Sequence, residues 1–228
     1  VSLLVIETST SHYEVGVVAG TSCVISTGNR FQPDYDGIAG LVERCLAESG
    51  TDVSALDAIA VDRGPGNLIS VRAGLAYANA LAYAADLPLY TASSLEIMAR
   101  AATEENDDEY DNNDDAGDLR TPVFVARAAR NNVSGPFFAA VFEGGAATFM
   151  KLDYLAKICD SLAGRYPELV LAGTHIEAQA GFLEQISTIH SGVTGPGVGP
   201  LSALLGRGML PATQQAFPLT EESEEFRA

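Results

Sequence analysis

The loop Arg63-Gly64-Pro65-Gly66-Asn67 lies between an apolar run, Leu56 to Val61, and a helix-forming stretch that begins at Leu68. Chemistry could sit there. Gly64 and Gly66 allow close backbone approach, and a helix N-terminus offers unpaired N–H groups and a positive dipole end to an anion. Arg72 follows about one turn into the helix. The same glycines would also serve a plain strand-to-helix turn, and spacing alone leaves both readings open. Walker and dinucleotide fingerprints are absent. A second glycine-rich stretch, Gly192 to Pro200, carries Pro196 and Pro200, which lack the N–H donors a phosphate cradle needs, so it reads as a loop. Glu7, Thr8, Ser9 and Thr10 cluster an acid with three hydroxyls directly after the apolar run Ser2 to Ile6. His12, His175 and His190 show no HxxH or HxxxH spacing, and no GxSxG elbow is present. Ser93-Ser94 reads as a helix cap. We therefore assign no catalytic residue and no metal ligand.

These groups need elements to hold them. Ser2 to Ile6 reads as a strand buried on both faces, followed by a polar turn. Tyr13, Val15, Val17 and Ala19 alternate as a second strand, and Cys23 to Ser26 forms a third. Pro33-Asp34 opens a helix whose Ile38, Leu41, Val42, Cys45 and Leu46 make one apolar stripe ending at Gly50. Leu56 to Val61 is a strand, and Leu68 to Ala85 a helix rich in alanine. Pro88 to Tyr90 is a strand, and Leu95 to Ala102 a helix. The second half offers strands at Pro122 to Ala126, Phe137 to Glu143, Ala146 to Leu152 and Leu169 to Ala172. Helices are expected at Ala156 to Gly164, His175 to Gln185 and Leu201 to Leu205. The acidic tail from Thr220 is expected to fray. This order predicts an α/β protein of the actin-like or Hsp70-like ATPase (ASKHA) fold with two small lobes. We expect residues 1–103 as the first lobe, 104–120 as an acidic linker and 121–228 as the second. In that fold the Glu7-Thr8-Ser9 corner faces nucleotide phosphate or its metal; a simple hydrogen-bonded turn is the other reading.

The chain is 47% hydrophobic and 19% charged, enough apolar material for a core. Its net charge is −17, of which the run Glu104 to Asp118 supplies nine acids and no base. Without that run the charge is −17 + 9 = −8. So acidic a surface repels phosphate backbones, which argues against tight nucleic-acid binding by the chain alone. The run itself reads as a solvated linker. Three widely spaced cysteines suit buried thiols in a reducing compartment. No apolar stretch reaches the length of a membrane span, and no basic leader opens the chain, so a cytoplasmic protein with no membrane partner is expected.

VSLLVIETSTSHYEVGVV resembles the opening strand-turn-strand of the TsaB (YeaZ-like) family, which usually carries Asp-Thr-Ser/Ala at the turn. LDAIAVDRGPGNLISVRAG, Leu56 to Gly74, resembles the family's most diagnostic stretch, typically GRGPGSFTGVR and a helical glycine. Gly64, Pro65, Gly66, Arg72 and Gly74 match it. LPLYTASSLEIM resembles the strand and serine-led helix that follow. The likeness covers about the first 100 residues and is looser beyond. Glu7 replaces the usual Asp, and Asn67 to Ser70 replaces Ser-Phe-Thr-Gly, with the loss of two hydroxyls near any phosphate.

The resemblance implies a non-catalytic subunit that pairs with a TsaD-like ATPase, joined by a TsaE-like ATPase, in the transfer of threonylcarbamoyl to tRNA adenosine. ATP and divalent metal are then expected on the TsaD partner, with no cofactor here and tRNA met only through the complex. It also implies docking through the first-lobe helices. Candidate partner-binding residues are Ile38, Leu41, Val42, Cys45, Leu46, Gly74, Tyr77, Leu81 and Tyr83. Candidate phosphate- or nucleotide-facing residues are Glu7, Thr8, Ser9, Gly64, Gly66, Asn67 and Arg72. A stand-alone ATPase or kinase of this fold, a peptidase-like enzyme, and a homodimer formed through the same helices are the rival readings.

Overall fold

The structure, a computed structural model, describes residues 1–104, 121–129, 132, 134–174, 189–190, 197–206, 210 and 212–227. It falls into two units, Val1–Ser94 with Pro196–Leu219, and Leu95–Gly195 with Thr220–Ala228. The expected boundary near residue 103 is thus revised: residues 196–219 return to the first unit, and the chain from Leu95 groups with the second. The physical reason is pairing, since a C-terminal strand hydrogen-bonds to the edge of the first sheet.

In the first unit, β1 (Ser2–Glu7) pairs antiparallel with β2 (His12–Ala19), which pairs with β3 (Ser22–Asn29). β4 (Ala58–Asp62) runs parallel to β1, and β5 (Leu89–Ala92) parallel to β4. The continuous apolar runs of β1 and β4 suit strands covered on both faces. The sheet order is β11-β5-β4-β1-β2-β3, where β11 is Ala212–Thr213. Helices α1 (Gly37–Ser49) and α2 (Leu68–Ala85) lie against it. The helix expected from Pro33 starts four residues later. The chain enters α1 through Gly37 at φ +92°, after a turn in which Tyr35 N–H donates to the Gln32 carbonyl. α1 ends as its sequence predicts. Gly50 takes φ +65°, and the amides of Gly50 and Thr51 close on the carbonyls of Ala47 and Leu46.

After α3 (Ser94–Glu104), the second unit repeats this plan. β6 (Val123–Ala128), β7 (Phe137–Glu143) and β8 (Ala146–Asp153) form an antiparallel meander, followed by α4 (Leu155–Leu162). β9 (Val170–Thr174) then runs parallel to β6, and β10 (Ile189–His190) parallel to β9. The order β10-β9-β6-β7-β8 matches β5-β4-β1-β2-β3 strand for strand. This duplicated α/β meander is the arrangement of the expected actin-like fold.

The helix α5 (Val198–Gly206) begins inside the stretch expected as a loop, with Pro200 in its first turn, where a missing N–H costs nothing. The tail is not frayed over its described residues. It makes a 3-10 turn at Glu224–Phe226, and buried Phe226 packs its ring 4.9 Å from that of Phe138. The acidic run beyond Glu104 and the helix expected at His175 to Gln185 lie outside the described residues.

Candidate functional site

β1 ends on Glu7, and the corner that follows folds back on it. Glu7 is buried, and its Oε1 accepts hydrogen bonds from the Ser9 N–H at 2.6 Å and the Ser9 hydroxyl. Thr8 is also buried, and its hydroxyl has no hydrogen-bond partner among the described residues. It lies against α2, where a Cβ on Gly74 would collide with Thr8 Oγ1. A Cβ on Gly66 would likewise meet the Ser9 carbonyl, and the Asn67 N–H donates to that carbonyl at 2.8 Å. Gly66 and Gly74 are therefore required by close packing of loop and helix on the β1–β2 corner.

The loop is tied from its other side by Asp62, the last residue of β4. This buried carboxylate accepts the Gly64 N–H at 2.7 Å and the Ser94 hydroxyl at 2.7 and 2.9 Å. Ser94, expected as a helix cap, instead holds Asp62, and its N–H donates to the Gly64 carbonyl at 2.7 Å. Gly64 takes φ +87° ahead of a cis peptide bond to Pro65. Asn67 caps α2, its Oδ1 accepting from Ser70 N at 3.2 Å and Ser70 Oγ at 3.1 Å, while Tyr13 OH donates to Ser70 Oγ at 2.7 Å. Glu7, Thr8, Ser9, Gly64, Gly66 and Asn67, expected as candidates to face phosphate or nucleotide, are thus brought into one junction. Arg72 is not part of it and is exposed on α2. The amides of Gly64, Asn67 and Ser70 end on protein acceptors. The arrangement makes a rigid mount for the start of α2.

Asp62, and the pairing of Ser94 with it, escaped the sequence reading. The available signal was an acid closing an apolar strand directly before Gly-Pro-Gly. Among the described residues, no group of three or more His, Cys, Asp or Glu side chains is placed to hold a metal ion.

The α1 stripe corrects an expectation. Ile38, Leu41, Val42 and Cys45 are buried in the core of the first unit, with Leu46 packed against it. The Cys45 thiol reaches the Val24 carbonyl at 3.2 Å. The stripe is covered by β2 and β3, so Ile38, Leu41, Val42 and Cys45 cannot form an outward face, and Leu46 is partly covered. Gly74 is similarly enclosed, against Thr8. Tyr77 and Leu81 are half-buried and pack on the same core. Burial and the nearby Glu43 carboxylate of α1 push the Tyr77 hydroxyl above its usual pKa.

The outward face of α2 consists of other residues. Ile69 is 73% exposed and Tyr83 91%, with Arg72, Ala73, Ala76, Ala80 and Ala84 exposed on the same side. Arg72 is the one charged residue of this 18-residue helix, in a chain of net charge −17. A small-residue face with a single charge, set between two exposed large apolar side chains, is unusual for a solvated helix. Only Tyr83 of this face was expected from the sequence.

Residues 36–112 match a family model described as TsaD, tRNA N6-adenosine threonylcarbamoyltransferase. The chain is 43% identical over 67 residues to the tRNA threonylcarbamoyladenosine biosynthesis protein TsaB of Haemophilus influenzae, covering 29% of this chain and 28% of that protein. It is 39% identical over 69 residues to TsaB of Escherichia coli, covering 30% of each. The matched stretch thus spans less than a third of these curated relatives. By structure, the chain superimposes on YeaZ from Pseudomonas aeruginosa with a TM-score of 0.71 at 22% identity, over 96% of this chain and 99% of that one. The chain is TsaB/YeaZ-like, and its fold is that of YeaZ. No helix among the described residues is long and apolar enough to cross a membrane.

Proposed function

We propose that this TsaB/YeaZ-like chain is a non-catalytic subunit of tRNA threonylcarbamoyladenosine biosynthesis that docks onto a TsaD-type ATPase. The observation that carries the reading is the outward face of α2: uncharged but for Arg72, paved with alanines, and flanked by exposed Ile69 and Tyr83. Alanines let a second helix approach closely, and the two large side chains supply anchors. The junction at Glu7, Gly66 and Asn67 fixes the start of that helix rather than presenting a reaction centre. The amides of Gly64, Asn67 and Ser70 and the Glu7 Oε1 are engaged within the protein.

In this reading the ATP, its divalent metal and the tRNA are handled by the TsaD-type partner, with a TsaE-like ATPase joining. The chain's strong negative charge agrees with leaving tRNA contact to others. The test is complementation: cells depleted of their own TsaB should regain threonylcarbamoyladenosine when this chain and its cognate TsaD-type ATPase are supplied together. ATP hydrolysis by the purified chain alone, abolished by Glu7→Gln, would instead favour an independent enzyme.

A further inference from the structure

Residues 212–219 run back along the first unit as a strap. β11 adds antiparallel to β5 at the sheet edge. Ala216 then enters the core, and one side chain of α2 holds its backbone at both polar groups. Asn79 Nδ2 donates to the Ala216 carbonyl at 3.0 Å, and Asn79 Oδ1 accepts the Ala216 N–H at 2.8 Å. A helix side chain thereby makes the two-bond pairing that a neighbouring strand would make. At the far end, buried Leu219 donates its N–H to the Arg63 carbonyl at 2.6 Å. Between these ties lies Phe217, 64% exposed.

Asn79 stands three residues from Ala76 and four from Tyr83, so it borders the outward face of α2. The strap it holds runs along that border. Exposed large hydrophobic side chains concentrate here: of the eight among the described residues, Leu68, Ile69, Tyr83 and Phe217 lie on α2 or the strap.

We infer that the docking surface has two elements, the outward face of α2 and the strap, with Phe217 as an apolar anchor and Asn79 as its positioning residue. The inference rests on the reading of α2 as the docking helix. The occupant is the TsaD-type ATPase. The TsaD family model covers the residues that form α1 and α2, so such a partner carries a stretch like the one it meets. Two like helices that meet through alanines come close enough for a flanking phenylalanine to be covered.

The experiment measures dissociation constants between the full chain and its cognate TsaD-type ATPase, together with thermal unfolding. Phe217→Ala should weaken binding by about tenfold while leaving the unfolding temperature unchanged. Asn79→Ala should speed hydrogen exchange at the Ala216 amide and weaken binding. Asn79→Asp, which keeps the acceptor for that amide but sets a carboxylate oxygen against the Ala216 carbonyl, should weaken binding as Asn79→Ala does. Unaltered affinity for Phe217→Ala, alongside lost affinity for the paired changes Ile69→Ala and Tyr83→Ala, overturns the inference and leaves the docking reading intact. If neither set of changes weakens the complex, or no complex forms with the unaltered chain, the docking reading fails and the inference with it.

Discussion

The two sheets share one strand order but put different surfaces to water. In the first unit, α1 turns Ile38, Leu41, Val42 and Cys45 into the sheet, whereas α2 keeps Ile69 and Tyr83 outside. In the second unit, the eight-residue α4 buries Leu155, Ile158, Cys159 and Leu162, and Tyr154, just before it, is that unit's one exposed large apolar residue among those described. A duplicated scaffold satisfies the folding requirement twice. Among the described residues, the helix face that leaves large apolar side chains in water, with Arg72 as its one charge, is that of α2 in the first copy; the matching stretch of the second copy, 175–188, lies outside the described residues.

The comparison can be broken first where each copy closes on itself. A Cβ on Gly173 would collide with the backbone carbonyl of Ala126, and its φ of +146° suits glycine. Gly173→Ala should therefore destabilise the second unit by about 3 kcal/mol or more in chemical denaturation. Leu41→Ala, which empties a fully buried site under α1, should cost about 2–5 kcal/mol. Tyr83→Ala, on the outward face, should stay within about 0.5 kcal/mol of the unaltered chain. Equal costs for Leu41→Ala and Tyr83→Ala would erase the distinction between the two helices. Gly74→Ala should cost about 1–3 kcal/mol through its clash with the Thr8 hydroxyl, and Thr8→Ala added to it should recover part of the loss.

Smaller effects sharpen the contrast. Asn67→Ala, by removing the cap of α2, should cost about 1 kcal/mol. In the second unit, burial pushes the Cys159 thiol up to about 11, with Asp160 adding to the shift. A raised folded-state pKa means the unfolded chain loses its proton first as pH rises. Stability should therefore hold below about pH 9 and fall between pH 9 and 11, and Cys159→Ala should flatten that fall relative to the parent.

Much of this arrangement is legible in the sequence. The runs Ser2 to Ile6 and Leu56 to Val61 read as buried strands and Phe137 to Glu143 as a strand, and the structure has β1, β4 and β7 there, with β4 starting at Ala58. Gly50 marks the end of α1, and Asn67 the start of α2, through local backbone chemistry. What the sequence withholds is which surface each stripe meets. An apolar stripe on α1 and an alanine face on α2 both read as packing, and only the sheet beneath α1 decides between core and exterior. Contacts distant along the chain are equally hidden. Asp62 to Ser94, and Asn79 to Ala216, join residues whose local context suggests a strand end, a cap and an ordinary polar helix position. The start of α1 was misplaced because Pro33 favours a first helical turn, while the chain turns again before Gly37.

The central claim is that the outward face of α2 binds a TsaD-type ATPase. Its most direct test is the dissociation constant of that complex for the paired changes Ile69→Asp and Tyr83→Asp, with the unfolding temperature measured alongside. The account predicts binding weaker by about 100-fold in a chain that still folds normally. A folded variant that binds as tightly as the parent would contradict it.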